Sequence, residues 1–236
     1  MGAVLTDETG ARAAEGRNRA YDPAGGSDPL RGTPLGHAGQ HVQLGVATGR
    51  LLGGCTLWTT QEPCAMCTAA AAFTGVGTVR YLAPDPWALA AGQSRLGRPE
   101  RRAPGSPAIL GPGEDLWIVA ANLLFLLSVG ARRGVDHPTI VANRRLEPET
   151  ARLAVSLLTR ARTPAAVARP STVERFLAAR WPALVSAARG RVRRRERRPE
   201  GRGRPEQGWA GAGPPPATRR PEPVSGGGAG RRGGRR

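Results

Sequence analysis

Lysine is absent from this 236-residue chain, so its 35 basic residues are all arginine, and against 18 acidic residues they give a formal charge of +17. The chain is also crowded with Ala, Gly and Pro, which share GC-rich codons with Arg, so the charge alone does not name a nucleic-acid partner. Aromatic residues make up 4% and cysteines number three, which excludes a disulfide framework and leaves a core of aliphatic side chains. No apolar run near Met1 could serve as a signal peptide. The most apolar stretch, Leu116 to Gly130, is interrupted by Asn122 and Ser128 and falls short of the roughly 20 residues that cross a bilayer. The expectation is a cytoplasmic protein with a buried helix there and no membrane partner.

What is abundant is glycine, at 33 residues, and proline, at 22. From Gly190 to Arg236 the chain carries 14 Arg against 4 Glu with no apolar periodicity, so no core offsets the entropy of ordering it. The expected division is 1–135 as a domain carrying the chemistry, 136–189 as a helical extension and 190–236 as a disordered basic tail. Such a tail can track phosphates, giving a nucleic-acid contact, but a solvated end is the expectation. Trp209 alone is poor support for base stacking there.

Gly2 to Thr6 and Ala11 to Gly16 read as two strands around the turn Asp7 to Gly10, followed by a loop rich in Asp-Pro, Gly-Gly and Thr-Pro pairs from Tyr21 to Gly36. His37 to Gly49 can hold about three helical turns. Cys55 to Thr60 suits a buried strand, Pro63 the start of a helix through Phe73, and Thr78 to Leu82 a further strand. Strand, helix, strand within about 30 residues is a βαβ unit, with ligands expected at the strand-to-helix turn. Ala90 to Gly113 reads as a surface loop. Beyond it, Asp115 is expected to cap a helix over Leu116 to Arg133 with Gly134 as its stop. Pro148 begins a helix to about Arg162, Ser171 to Glu174 has capping-box spacing, and Pro182 should kink or divide the last helix.

Cys64 and Cys67 lie three apart at a helix start, where both sulfurs can face one metal and the helix dipole favours the thiolates. Alone, this spacing also suits a redox pair. His37 adds an imidazole upstream, and two sulfurs with one imidazole leave a fourth position open, as in catalytic zinc sites. His41 shares a helix face with His37, so a closed site of two Cys and two His is a further option. A solvent-facing or core His41 is the expectation.

His37-Ala38-Gly39 followed by a strand and Thr60-Gln61-Glu62-Pro63-Cys64-Ala65-Met66-Cys67 resembles the cytidine/deoxycytidylate-type zinc deaminase family, in its nucleobase, nucleoside and tRNA-adenosine branch. The resemblance spans roughly Gly2 to Pro86. It implies an α/β fold: a three-layer α/β/α sandwich with a mixed sheet, here with extra C-terminal helices. It also implies Zn2+ on His37, Cys64 and Cys67, with Asn18, Ala38 and Asp85 on the substrate side. Asn18 and Asp85 also suit ordinary turns. Trp58 and Trp87 are read as packing residues. The family usually begins with a helix of about 20 residues before the hairpin, whereas here Met1 nearly abuts the first strand. Either an uncovered sheet face, late helices over it, or an upstream start is expected.

The departure that matters is Gly39, which stands where the family carries the Glu that moves protons during hydrolysis of an amino group. General acid/base groups contribute about 10²–10⁴-fold, and neither Glu62, read as a turn-positioning residue, nor Gln40 replaces one. The implied function is therefore a zinc-dependent hydrolytic deaminase of nucleobases or nucleosides, or a descendant of one, with impaired chemistry and no catalytic residue assigned. The alternative is a non-catalytic pseudo-deaminase that serves as a partner or nucleic-acid-binding subunit, as a homodimer or beside an active deaminase. One base change separates a Glu codon from a Gly codon, so a recently decayed enzyme is a third reading.

Overall fold

A computed structural model describes residues 1–47, 49–86, 107–160 and 170–197. Its centre is a five-stranded sheet in the order β2-β1-β3-β4-β5. The strands are β1 (Gly2–Thr6), β2 (Arg12–Arg17), β3 (Thr56–Gln61), β4 (Thr78–Ala83) and β5 (Ala108–Leu110). The β1 strand runs antiparallel to both β2 and β3, while β3 with β4 and β4 with β5 are parallel, so the sheet is mixed as expected. Two short helices follow strands: α1 (Ala38–Leu44) and α2 (Ala65–Phe73). Then come α3 (Asp115–Arg133), α4 (Pro138–Leu146), α5 (Pro148–Arg160), α6 (Pro170–Ala178) and α7 (Trp181–Glu196).

Strand alternation sends Ala3, Leu5, Leu57 and Val79 to one face, where they meet Ala38 and Val42 of α1 and Ala71 of α2. Leu5, Leu57, Val42 and Val79 are fully buried, each contributing about 1.5–3 kcal/mol through burial. Helix α1 approaches β2 closely at Gly16, where a Cβ would stand 2.8 Å from the Ala38 carbonyl and from His41 Cβ. Only glycine lets this helix start where it does. The opposite face, with Val4, Trp58, Arg80 and Leu82, lines an open groove of about 660 Å³, in which Arg80 lies 5.5 Å over the Trp58 ring.

Several expectations are corrected. Helix α1 ends at Leu44, about one turn before Gly49, because Gly45 closes it and Gly49 takes a positive φ of 90°. The expected surface loop Ala90 to Gly113 contains β5, whose Ala108, Ile109 and Leu110 pair with β4. Residues 87–106, with Trp87, lie outside the described part. Asp115 is the first residue of α3 and not its cap, which is Glu114; its carboxylate is engaged by Arg191 instead. Helix α4 falls within the expected helical extension 136–189, which gave it no bounds of its own; His137 before Pro138 marks its start, and the His137 ring accepts from Thr139 N–H at 3.3 Å. Ser171 falls inside α6, whose first residue is Pro170. Pro182 lies in the first turn of α7, so α6 and α7 are separate.

At 19 residues α3 is longer than the apolar run suggested, and by length and composition alone it could cross a membrane. Its Val119, Leu123 and Leu126 are instead buried with Ile140 of α4, Ala151 and Ala154 of α5 and Leu184 of α7. Helix α3 also packs on β4 and β3, which joins this helical group to the sheet.

The expected disorder from Arg191 onward is corrected up to Glu196, where α7 ends; residues 198–236 lie outside the described part. The reason is charge pairing. Buried Arg191 donates from Nε to Glu147 Oε2 at 2.8 Å and from Nη2 to Oε1 at 3.1 Å, and also binds Asp115. Arg194 donates from Nε to both Glu149 oxygens at 3.1 Å. Burial, the largest single influence, pushes the Glu149 carboxyl up, but the Arg194 hydrogen bond, a backbone hydrogen bond and the charges of Arg194 and Arg152 together hold the group below its ordinary value.

Replacing Arg191 by Ala removes the bidentate partner of buried Glu147, leaving it Arg194 alone at 3.3 Å, and should cost up to about 3–5 kcal/mol in urea unfolding. An unchanged midpoint would remove this network from the account of the helical group. Because Glu149 titrates lower in the folded chain, its share of stability is present above the unfolded carboxylate value. That share should disappear as pH falls through the folded value, and Glu149→Gln should flatten that part of the profile.

Candidate metal centre

The donors arise at two helix starts. His37 is the N-cap of α1 in extended backbone, Cys64 is the N-cap of α2, and Cys67 stands in the first turn of α2. The preceding loop fixes His37: Arg19 N–H donates to the Gly36 carbonyl at 2.7 Å and His37 N–H to the Leu35 carbonyl at 2.7 Å. On the other side Thr68 N–H and Oγ1 donate to the Cys64 carbonyl at 3.0 and 3.1 Å.

His37 Nδ1 lies 3.4 Å from Cys64 Sγ and 3.8 Å from Cys67 Sγ, and all three donor atoms fall within 4.8 Å of one another. Tetrahedral zinc, with Zn–S of about 2.3 Å and Zn–N of about 2.1 Å, places its ligand atoms roughly 3.5–3.8 Å apart. The donor set fits zinc in both type and spacing, and it is the one such cluster among the described residues.

The electrostatics also favour a cation. The Cys67 thiol hydrogen-bonds to the Cys64 sulfur, and this contact, with help from His37, holds Cys64 far below the usual thiol range. The same contact, followed by burial, pushes Cys67 up. The Cys64 sulfur in turn raises His37 above its ordinary value. One negative charge is thus shared over two sulfurs beside an imidazole.

His41 does not join the cluster. Its Nδ1 lies 3.0 Å from the His37 carbonyl oxygen and its Nε2 3.0 Å from Asp28 Oδ2, so both ring nitrogens face oxygens. The closed four-ligand option is corrected on that ground. A redox pair, for its part, gives no reason for an imidazole beside both sulfurs.

A cavity of about 70 Å³ opens at the three donors, and Ala38, Gly39, Gln61, Glu62 and Asp85 also line it. Asp85 is buried and its N–H donates to Glu62 Oε2 at 3.3 Å. Asn18 is not among the residues lining this cavity; its Oδ1 accepts from Ala20 N–H at 3.1 Å in the turn after β2. Gly39 is buried on α1, and a Cβ there would stand 3.3 Å from both Cβ and Sγ of Cys67. Sequence reasoning passed over Gln61, whose signal is a polar side chain in register with Leu57 on the core face of β3.

Residues 1–83 match the family model described as the cytidine and deoxycytidylate deaminase zinc-binding region. A solved structure from biochemical and structural studies of A-to-I editing by tRNA deaminases at the wobble position of transfer RNA is 28% identical. The similarity covers 46% of this chain and 78% of that one, with a TM-score of 0.36. No curated protein matches the chain.

Purified chain should hold one zinc, and His37→Ala or Cys64→Ala should each lose most of it by elemental analysis, while Cys55→Ala keeps it. In chelator-treated protein at about pH 6, iodoacetamide should modify Cys64 ahead of Cys55 and Cys67, because only its thiol is depressed. Equal labelling of the three cysteines by mass spectrometry would contradict this charge distribution.

Proposed function

We propose that residues 1–83, which match the model of the cytidine and deoxycytidylate deaminase zinc-binding region, carry a zinc centre for C–N hydrolysis of a nucleobase or nucleoside amino group. In this chain the centre is impaired by Gly39. His37, Cys64 and Cys67 hold the zinc, which when bound supplies an activated water. The observation that carries the proposal is the direction of Gly39: any side chain at this position starts 3.3 Å from Cys67 Sγ, directly beside the metal donors. A carboxylate there would have the position needed to move protons, and glycine has none to offer.

Glu62 does not replace it in this reading. Its Oε2 accepts the Asp85 N–H, which ties the turn before Cys64 to the segment after β4, a positioning role. Ala38 and Asp85 are proposed as substrate contacts inside the cavity, and Asn18 as one that only a substrate extending past the cavity would meet.

A second reading, a non-catalytic subunit beside an active deaminase or on nucleic acid, is favoured by the size of the cavity. At about 70 Å³ it is well under the roughly 300–1,000 Å³ of common small-molecule sites.

The deciding experiment measures ammonia release from cytosine, guanine and adenine and their nucleosides, with zinc content, for the unaltered chain and Gly39→Glu. The impaired-enzyme reading expects little or no turnover from the former and about 10²–10⁴-fold more from the latter. The new Cβ requires Cys67 to give by a few tenths of an ångström, so zinc content is read alongside. Strong turnover by the unaltered chain would overturn the proton-transfer assignment. A zinc-loaded but inactive Gly39→Glu supports the non-catalytic subunit.

A further inference from the structure

Gln61 is the last residue of β3, immediately before the Glu62-Pro63-Cys64 turn. It is 4% exposed, and among the described residues neither its Oε1 nor its Nε2 finds a hydrogen-bond partner. Strand alternation places it on the face of Leu57, which is packed with Ala38, Val42 and Ala71. A leucine would suit that face without stranding polar atoms. An amide with both of its polar atoms buried and unpaired destabilises the free chain, so its presence calls for a partner that comes from elsewhere. Gln61 lines the cavity that it shares with His37, Gly39, Cys67 and Asp85, and that cavity is where a partner can enter.

We propose that Gln61 is a specificity residue that pairs with the amino-bearing edge of a heterocyclic base, cytosine or adenine in class. The inference rests on the reading of this centre as a base site. A primary amide presents one donor and one acceptor in a single plane, which matches an exocyclic amino group beside an unprotonated ring nitrogen. The cavity of about 70 Å³ is small: it holds on the order of five waters, roughly the bulk of one six-membered ring, so the amino-bearing ring enters while a purine's second ring and any sugar stay outside. The Gln61 amide holds such an edge but moves no proton, so beside Gly39 the centre binds a base without efficiently hydrolysing it.

The test is isothermal titration of the zinc-loaded full chain with cytosine and adenine and with pyrimidin-2-one and purine, which lack the amino group. Gln61→Met, nearly the same size, should weaken cytosine or adenine binding about tenfold, one net hydrogen bond or about 1.4 kcal/mol. Binding of the analogue without the amino group, which keeps only the ring-nitrogen half of the pair, should weaken by clearly less than that of the amino-bearing base, and zinc content should not change. Gln61→Met should also raise Tm, because a stranded amide has gone; Gln61→Leu repeats both readouts if the first variant packs poorly. Unchanged affinity for the amino-bearing base in either folded variant overturns the role of Gln61 and leaves the base site standing. Failure of every base to bind the unaltered zinc-loaded chain overturns the base site, and this inference with it.

Discussion

The approach of His37 Nδ1 to two sulfurs, 3.4 and 3.8 Å away, is the constraint around which the N-terminal part is arranged. It requires the starts of α1 and α2 to meet over one face of the sheet. Glycine at position 16 lets α1 sit against β2, and the parallel β3–α2–β4 unit carries Cys64 and Cys67 to the same place. The apolar layer of Leu5, Leu57, Val42 and Val79 then holds both helices down. Packing supplies the rigidity, and the paired thiol and thiolate supply the charge that a cation would neutralise.

Gly39 and Gln61 are two departures from what that layer would otherwise favour. One removes a side chain from a position beside Cys67, and the other places an amide with no hydrogen-bond partner among the described residues where an aliphatic residue would fit. Together they shape a small cavity that holds a buried amide at the end of β3 and no side chain at the α1 position beside Cys67. The affinity of such a site for a ligand and its ability to transform one are separate properties, set by different residues.

The helical part depends on a different interaction. Arg191 lies between Glu147 and Asp115, and Arg194 spans Glu147 and Glu149, so α7 is drawn onto the starts of α3 and α5 by buried charge as well as by Leu184. Without those acids 44 or more residues upstream, the run Arg191 to Arg195 has the composition of a solvated tail. Its helical continuation is a property of partners remote in sequence.

By itself the sequence determined the hairpin, the βαβ unit and the three donors, because strand alternation, proline at a helix start and Cys-x-x-Cys spacing are local rules. Only the tertiary structure decided that His41 turns to Asp28 and the His37 carbonyl and away from the sulfurs, since a shared helix face does not say what stands opposite it. Only the tertiary structure found β5, three residues made a strand by β4 beside them, and α7 beyond Arg191, made stable by distant carboxylates. The buried amide of Gln61 belongs to the same group: burial and the lack of a partner among the described residues are properties of three-dimensional neighbours, which no residue in the motif announces.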